Sequence, residues 1–127
     1  MLEQANVIPT IGVKNVQAAK QFYQNKLGLT PVGESNEDVQ HYKAGSGMIE
    51  VYKSEYAGTN KATSMTWALG DQFDKTVREL KQKGVQFEHY NMPGTKLEGN
   101  VHVMEGEGMK AAWFKDPDGN ILCIHDR

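Results

Sequence analysis

The residues of this 127-residue chain best able to do chemistry are one cysteine, four histidines and a few well-placed acids. Cys123 and His125 fall two apart in "ILCIHDR", so on a strand they share a face. Their Cβ atoms would then stand about 6–7 Å apart, too far for the hydrogen bond that lets a base activate a thiol. The preferred reading is a small buried residue beside a polar one. The acids in "FKDPDGN" suggest a calcium loop, which needs glycine at its sixth position and glutamate at its twelfth. Counted from Asp116, glycine comes fourth and Arg127 twelfth, so the stretch reads as a hairpin turn. Glu50 is the most informative acid. In "GMIEVY" the alternation sets Met48, Glu50 and Tyr52 on one face and Ile49 and Val51 on the other. Such a carboxylate, set among apolar side chains, needs a partner, because an unpaired buried charge is costly. Lys110, His102 or a cationic ligand could supply one, or the acid could be protonated or open to water. His41 and His89 read as polar strand residues facing solvent, and His102 lies in a longer segment that could cover a binding face.

These groups need a scaffold, and composition narrows which kind. At 39% hydrophobic and 24% charged, with a net charge of −2, the chain reads as a globular domain. It has no basic run to hold nucleic acid or an anionic membrane. A single cysteine excludes an intrachain disulfide. "MLEQANVIP" lacks the charge and apolar run of a signal peptide, and no segment has the roughly 20 apolar residues of a membrane helix. The expected location is cytoplasmic.

Helical periodicity appears twice. "NVQAAKQFYQNKLG" aligns Val16, Ala19, Tyr23 and Leu27, and "DQFDKTVRELKQKG" aligns Phe73, Val77 and Leu80. Asn15 and Asp71 are suited to cap the two starts, and Gly28 and Gly84 the two ends. The second pattern repeats the first at an offset of 56 residues. Each follows a strand-like run ("NVIPTIGV", "SMTWALG") and precedes three more. The first three are "TPVGE", "DVQHYKA" and "MIEVYKS". The second three are "VQFEHY", "MKAAWFK" and "NILCIH", with room for an extra strand at "NVHVM". The expectation is an α+β fold of two tandem β-α-β-β-β modules, about 5–54 and about 62–126, in a single domain. A sheet backed by one helix leaves its other face open, so two curved mixed sheets would enclose a cleft. Trp67 shares parity with Met65 and Leu69, on the helix side. Ser64, Thr66 and Ala68 then face the cleft.

The paired modules, with "FYQNKLGL", "RELKQKGV" and "AAWFKDPDGNIL", resemble the vicinal oxygen chelate superfamily, also called the glyoxalase/bleomycin-resistance/dioxygenase family. The resemblance spans nearly the whole chain and is specific for the fold, not for the reaction. It implies ligands in metal-dependent members at positions matching Ile8 and Ser64 on the first strands, and Glu50 and Cys123 on the last. Only Glu50 is an ordinary ligand for a hard divalent ion. The expectation is therefore no metal and no cofactor. The expected function is small-molecule binding, similar to that of bleomycin-resistance proteins, which sequester a drug without changing it. The ligand face is assigned to Glu50, Tyr52, Met48, Ser64, Thr66, His102, Trp113 and Cys123, with Glu50 favouring a positive group on the ligand. The alternative is a metal-dependent lyase, epimerase, dioxygenase or thiol transferase. The resemblance also implies a homodimer with shared clefts.

Overall fold

A computed structural model describes residues 1–127. It is α+β: two helical segments and ten strands in two mixed sheets, neither closed into a barrel. The chain divides into a unit Met1–Thr59 and a unit Asn60–Arg127.

In the first unit β1 (Thr10–Val13) leads into α1 (Val16–Lys20), followed by β2 (Thr30–Val32), β3 (Val39–Ala44) and β4 (Gly47–Lys53). The sheet order is β1-β4-β3-β2, with β1 parallel to β4 and the other pairs antiparallel. β1 is shorter than its apolar run suggested and begins after Pro9, so Ile8 lies outside it. Asn15 caps α1 as expected, its Oδ1 accepting from the Ala18 N–H at 2.8 Å. The helix then widens into a π-helical stretch, Gln21–Lys26, which the sequence did not foreshadow. That stretch brings both Phe22 and Tyr23 into the core rather than Tyr23 alone. Tyr23 stacks on Tyr42 with ring centroids 6.1 Å apart. Ile11, Val13, Ile49 and Val51 complete the buried face, each contributing about 1.5–3 kcal/mol if fully buried. Pro31 lacks an N–H, which β2 tolerates because it is an edge strand.

The second unit repeats the plan and enlarges it. β5 (Thr63–Ala68) precedes α2 (Phe73–Gln82), followed by β6 (Phe87–Glu88), β7 (Thr95–Glu98), β8 (Val101–Met104), β9 (Met109–Lys115) and β10 (Ile121–His125). The order is β5-β10-β9-β8-β7, with β6 also pairing β9. β8 is the extra strand expected at "NVHVM", whereas β7 was not expected. Asp71 does not cap α2. It lies in a 3₁₀ turn, Gly70–Gln72, and the helix begins behind Gln72 without a side-chain cap. Gly84 closes the helix with φ of 85°, a backbone state that other residues resist. Leu122 and Ile124 oppose Phe114 and Ala112, and all four are buried.

"DPDGN" forms the β9–β10 turn. Asp116 Oδ1 accepts from the N–H groups of Asp118 and Asn120, and Oδ2 accepts from the Asn120 side-chain amide at 2.8 Å. The acid is spent on the turn, and the turn fixes the register of β10 against β9.

Candidate functional site

The face of the first unit opposite its buried side carries Met48, Glu50 and Tyr52 on β4, as their alternation required. Thr10 on β1 and His41 on β3 flank Glu50. His41 Nε2 and Glu50 Oε1 are 2.8 Å apart, both side chains about one-third exposed at 32%. This corrects two expectations. Glu50 does not lack a fixed partner, and its partner is neither Lys110 nor His102. His41 does not simply face solvent but pairs with Glu50. The pairing follows from Gly47 belonging to β4, one residue before the run read from sequence. A two-residue loop, Gly45-Ser46, joins β3 to β4, with Gly45 at φ of 58°. Such a loop fixes the register. Ala44 then faces Gly47 and, three steps back, His41 faces Glu50.

The corresponding face of the second unit collects Thr66 on β5, Cys123 on β10, Trp113 on β9 and His102 on β8; a register shift opposite Ile121 and Leu122 sets Thr63 rather than Ser64 beside them, and Ser64 Oγ accepts from the Asn60 side-chain amide. Cys123 opposes both Thr66 and Trp113, and His102 opposes Ala111 two residues from Trp113. The Cys123 thiol is buried, and burial pushes it up to about 11, partly offset by a hydrogen bond with the Thr66 side chain. His125 accepts from the Arg127 N–H at Nδ1. Cys123 is therefore a packed thiol with little thiolate at neutral pH.

His102 is fully buried, and its surroundings are aromatic. Trp113 packs edge-to-face on it at 5.0 Å between ring centroids and on Tyr90 at 5.8 Å, while the Tyr90 and His102 rings are 6.0 Å apart. Trp113 Nε1 donates to Thr63 Oγ1. The Tyr90 backbone N–H donates to His102 Nε2 at 2.9 Å. A ring nitrogen that accepts carries no proton, so the proton of the neutral imidazole sits on Nδ1. Nδ1 and the Tyr90 hydroxyl are both buried without a hydrogen-bond partner. Each such group costs about 1–3 kcal/mol relative to a satisfied one. Burial holds the His102 pKa below its ordinary value, and the Tyr90 N–H donating to Nε2 also favours the neutral ring. Burial first, and Glu88 second, hold the Tyr90 hydroxyl above its usual range. Sequence reading missed Tyr90 because no local pattern says that a residue after a two-residue strand turns back over β8.

A cavity of about 320 Å³ lies elsewhere in this unit, lined by Gly70, Asp71, Phe73, Asp74, Lys110 and Asp126. None of the eight residues assigned from sequence lines it. Two of its acids are already engaged, Asp74 by the Lys110 ammonium at 3.8 Å and Asp126 by the Lys110 backbone N–H. Nowhere in the chain do three His, Cys, Asp or Glu side chains gather as a metal would require.

The sequence matches the Glyoxalase/Bleomycin resistance protein/Dioxygenase superfamily over residues 6–124. This chain belongs to that superfamily. Solved structures agree on the fold. A bleomycin-binding protein complexed with bleomycin superposes with a TM-score of 0.72 at 20% identity, over 98% of this chain and 99% of that one. A glyoxalase family protein from Enterococcus faecalis gives 0.72 at 22% identity, with the same coverage. A lactoylglutathione lyase from Agrobacterium tumefaciens gives 0.68 at 15% identity, over 96% of this chain and 92% of that one. No curated protein matches the sequence. No helix is long and apolar enough to cross a membrane.

Proposed function

We propose that this superfamily member binds a small organic molecule without a metal and without changing it. The chemistry of the donor set carries the reading. At the two last-strand positions where metal-dependent members need ligands, Glu50 is held by His41 at 2.8 Å and Cys123 is a buried thiol raised to about 11. Their strand neighbours, Thr10 and Thr66, are poor neutral ligands, and Ile8 has no lone pair to offer. A divalent ion would have to displace His41 and deprotonate a shielded thiol, so these residues do not fit it. The bleomycin complex of a fold relative supports a small-molecule ligand.

The same reading includes a homodimer. Tyr52 is 40% exposed and Val32 is 37% exposed, both on the open side of the first sheet, where a second copy could cover them. Light scattering over a dilution series should give twice 14.2 kDa. A monomer at high micromolar concentration would remove the dimer from the proposal.

The central test pairs elemental analysis of untagged protein with a tryptophan-fluorescence screen of small aromatic compounds. Saturable binding with no stoichiometric metal is expected. One zinc, nickel, manganese or iron per chain that disappears in Glu50→Gln would overturn the reading.

A further inference from the structure

The orphaned polar atoms in the second unit say which chemical class the ligand belongs to, resting on the small-molecule reading above. We infer that Tyr90 and His102 are a shielded pair of hydrogen-bond donors that recognises a neutral carbonyl oxygen on a flat ligand, with Trp113 as the adjoining aromatic surface.

His102 Nδ1 can only donate, and the Tyr90 hydroxyl is able to donate beside it. The Tyr90 backbone N–H occupies His102 Nε2, so Nδ1 is the protonated nitrogen of the neutral ring. The Tyr90 hydroxyl is the second donor, and neither has a partner. Native proteins seldom leave one buried polar atom unmatched, and two on neighbouring rings need an explanation. An acceptor oxygen from outside the chain supplies it. Charge selects a neutral acceptor. Glu88 lies close enough to affect the Tyr90 hydroxyl, and its carboxylate already has Lys115 at 3.3 Å. A carboxylate entering here would be desolvated with no free cation to meet it. A cation would face the positive end of the His102 Nδ1–H dipole. A carbonyl meets neither obstacle, and two hydrogen bonds that were absent in the free protein form on binding.

Access requires one movement. Both atoms are shut off from water, so the Tyr90 ring must swing out to admit the ligand and back to donate to it. Tyr90 lies between β6 and β7, in a segment without regular structure. Its N–H bond to His102 is made by the backbone, so the ring can turn while the imidazole tautomer stays fixed.

The test uses acetophenone, its isostere α-methylstyrene, in which a CH₂ replaces the oxygen, and benzylamine as a cationic control. Binding is followed by the ring resonances of ¹⁵N-histidine-labelled protein at pH 8. The free protein should show His102 protonated at Nδ1 alone. Acetophenone should shift that nitrogen and bind at least about tenfold more tightly than α-methylstyrene. Tyr90→Phe should erase that preference while leaving the melting temperature unchanged or raised, because it deletes an unmatched hydroxyl. His102→Gln keeps an acceptor for the Tyr90 N–H but removes the Nδ1 donor, and it should also erase the preference. Equal binding of the two isosteres, a proton on Nε2, or a Tyr90→Phe protein that melts lower would overturn the inference. Benzylamine binding that Glu50→Gln abolishes, with no acetophenone response, would also overturn it but would leave the small-molecule reading intact. Absence of binding by all three compounds and by every compound in the wider screen would overturn both.

Discussion

The two open sheet faces have the same ancestry of pattern and opposite electrostatics. In the first unit, the polar groups are half-exposed and matched, with His41 and Glu50 sharing a hydrogen bond. In the second, His102 and Cys123 are buried, and His102 Nδ1 and the Tyr90 hydroxyl are unmatched. The difference traces to one strand edge. In the first sheet β3 has a single outer neighbour, β2. In the second, β9 is shared, with β6 opposite Phe114 and Trp113, and β8 opposite Met109, Lys110 and Ala111. After Glu88 the chain leaves β6, runs through β7 and returns to the β9 edge as β8. The crossing carries Tyr90 over His102. A repeated topology therefore fixes where side chains point but not what they meet. That depends on the insertion of residues 91–108.

Four experiments test this contrast. The largest effect should come from His102→Ala against His41→Ala. Removing the buried imidazole leaves a cavity and strips the Tyr90 N–H of its acceptor, so we expect a loss of about 3 kcal/mol in urea unfolding. His41→Ala breaks a one-third-exposed pair and should cost about 0–1 kcal/mol. Equal losses would mean that the two faces are not energetically different.

Next is the thiol. Raising Cys123 from 9.0 to about 11 lowers its thiolate fraction at neutral pH about a hundredfold, before shielding is counted. Iodoacetamide should therefore label the native protein at least that much more slowly than the urea-unfolded chain. Rapid native labelling would show a nucleophile where a packed thiol is described.

The third experiment is a pH series. The folded-state pKa of His102 lies below its ordinary 6.5, so below pH 6.5 the unfolded chain binds the proton more readily. Its contribution is fully present above 6.5 and is lost as pH falls through the folded value, with a slope of at most about 1.4 kcal/mol per pH unit. The melting temperature of the wild type should fall faster between pH 7 and 5 than that of His102→Gln. Parallel curves would assign the acid sensitivity elsewhere.

The smallest effect concerns the helix starts. Asn15→Ala removes a cap bond of 2.8 Å and should cost about 1 kcal/mol. Asp71→Ala removes no cap and should cost at most a few tenths, the modest charge term at a helix start. Thermal unfolding of both variants would check this, and matching losses would contradict the 3₁₀ entry to α2.

What the sequence determined by itself was whatever depends on neighbours along the chain. Alternation placed Met48, Glu50 and Tyr52 together, because side chains on a strand must alternate. The 56-residue offset predicted the repeated unit, and "DPDGN" predicted a turn. The His41–Glu50 pair was not read, because the strand runs left Gly45-Ser46-Gly47 between them and the register turns on whether Gly47 belongs to the loop or to β4. The partners of His102 were not read either, because Tyr90 comes from the irregular segment between β6 and β7 and Trp113 from β9, and no local pattern brings that segment over β8. The π-helical widening after Lys20 was equally hidden, since packing two adjacent aromatics, Phe22 and Tyr23, overrides the local preference for 3.6 residues per turn. Only the tertiary structure could leave two donors buried and unmatched, because that cost is set by what the rest of the fold excludes from them.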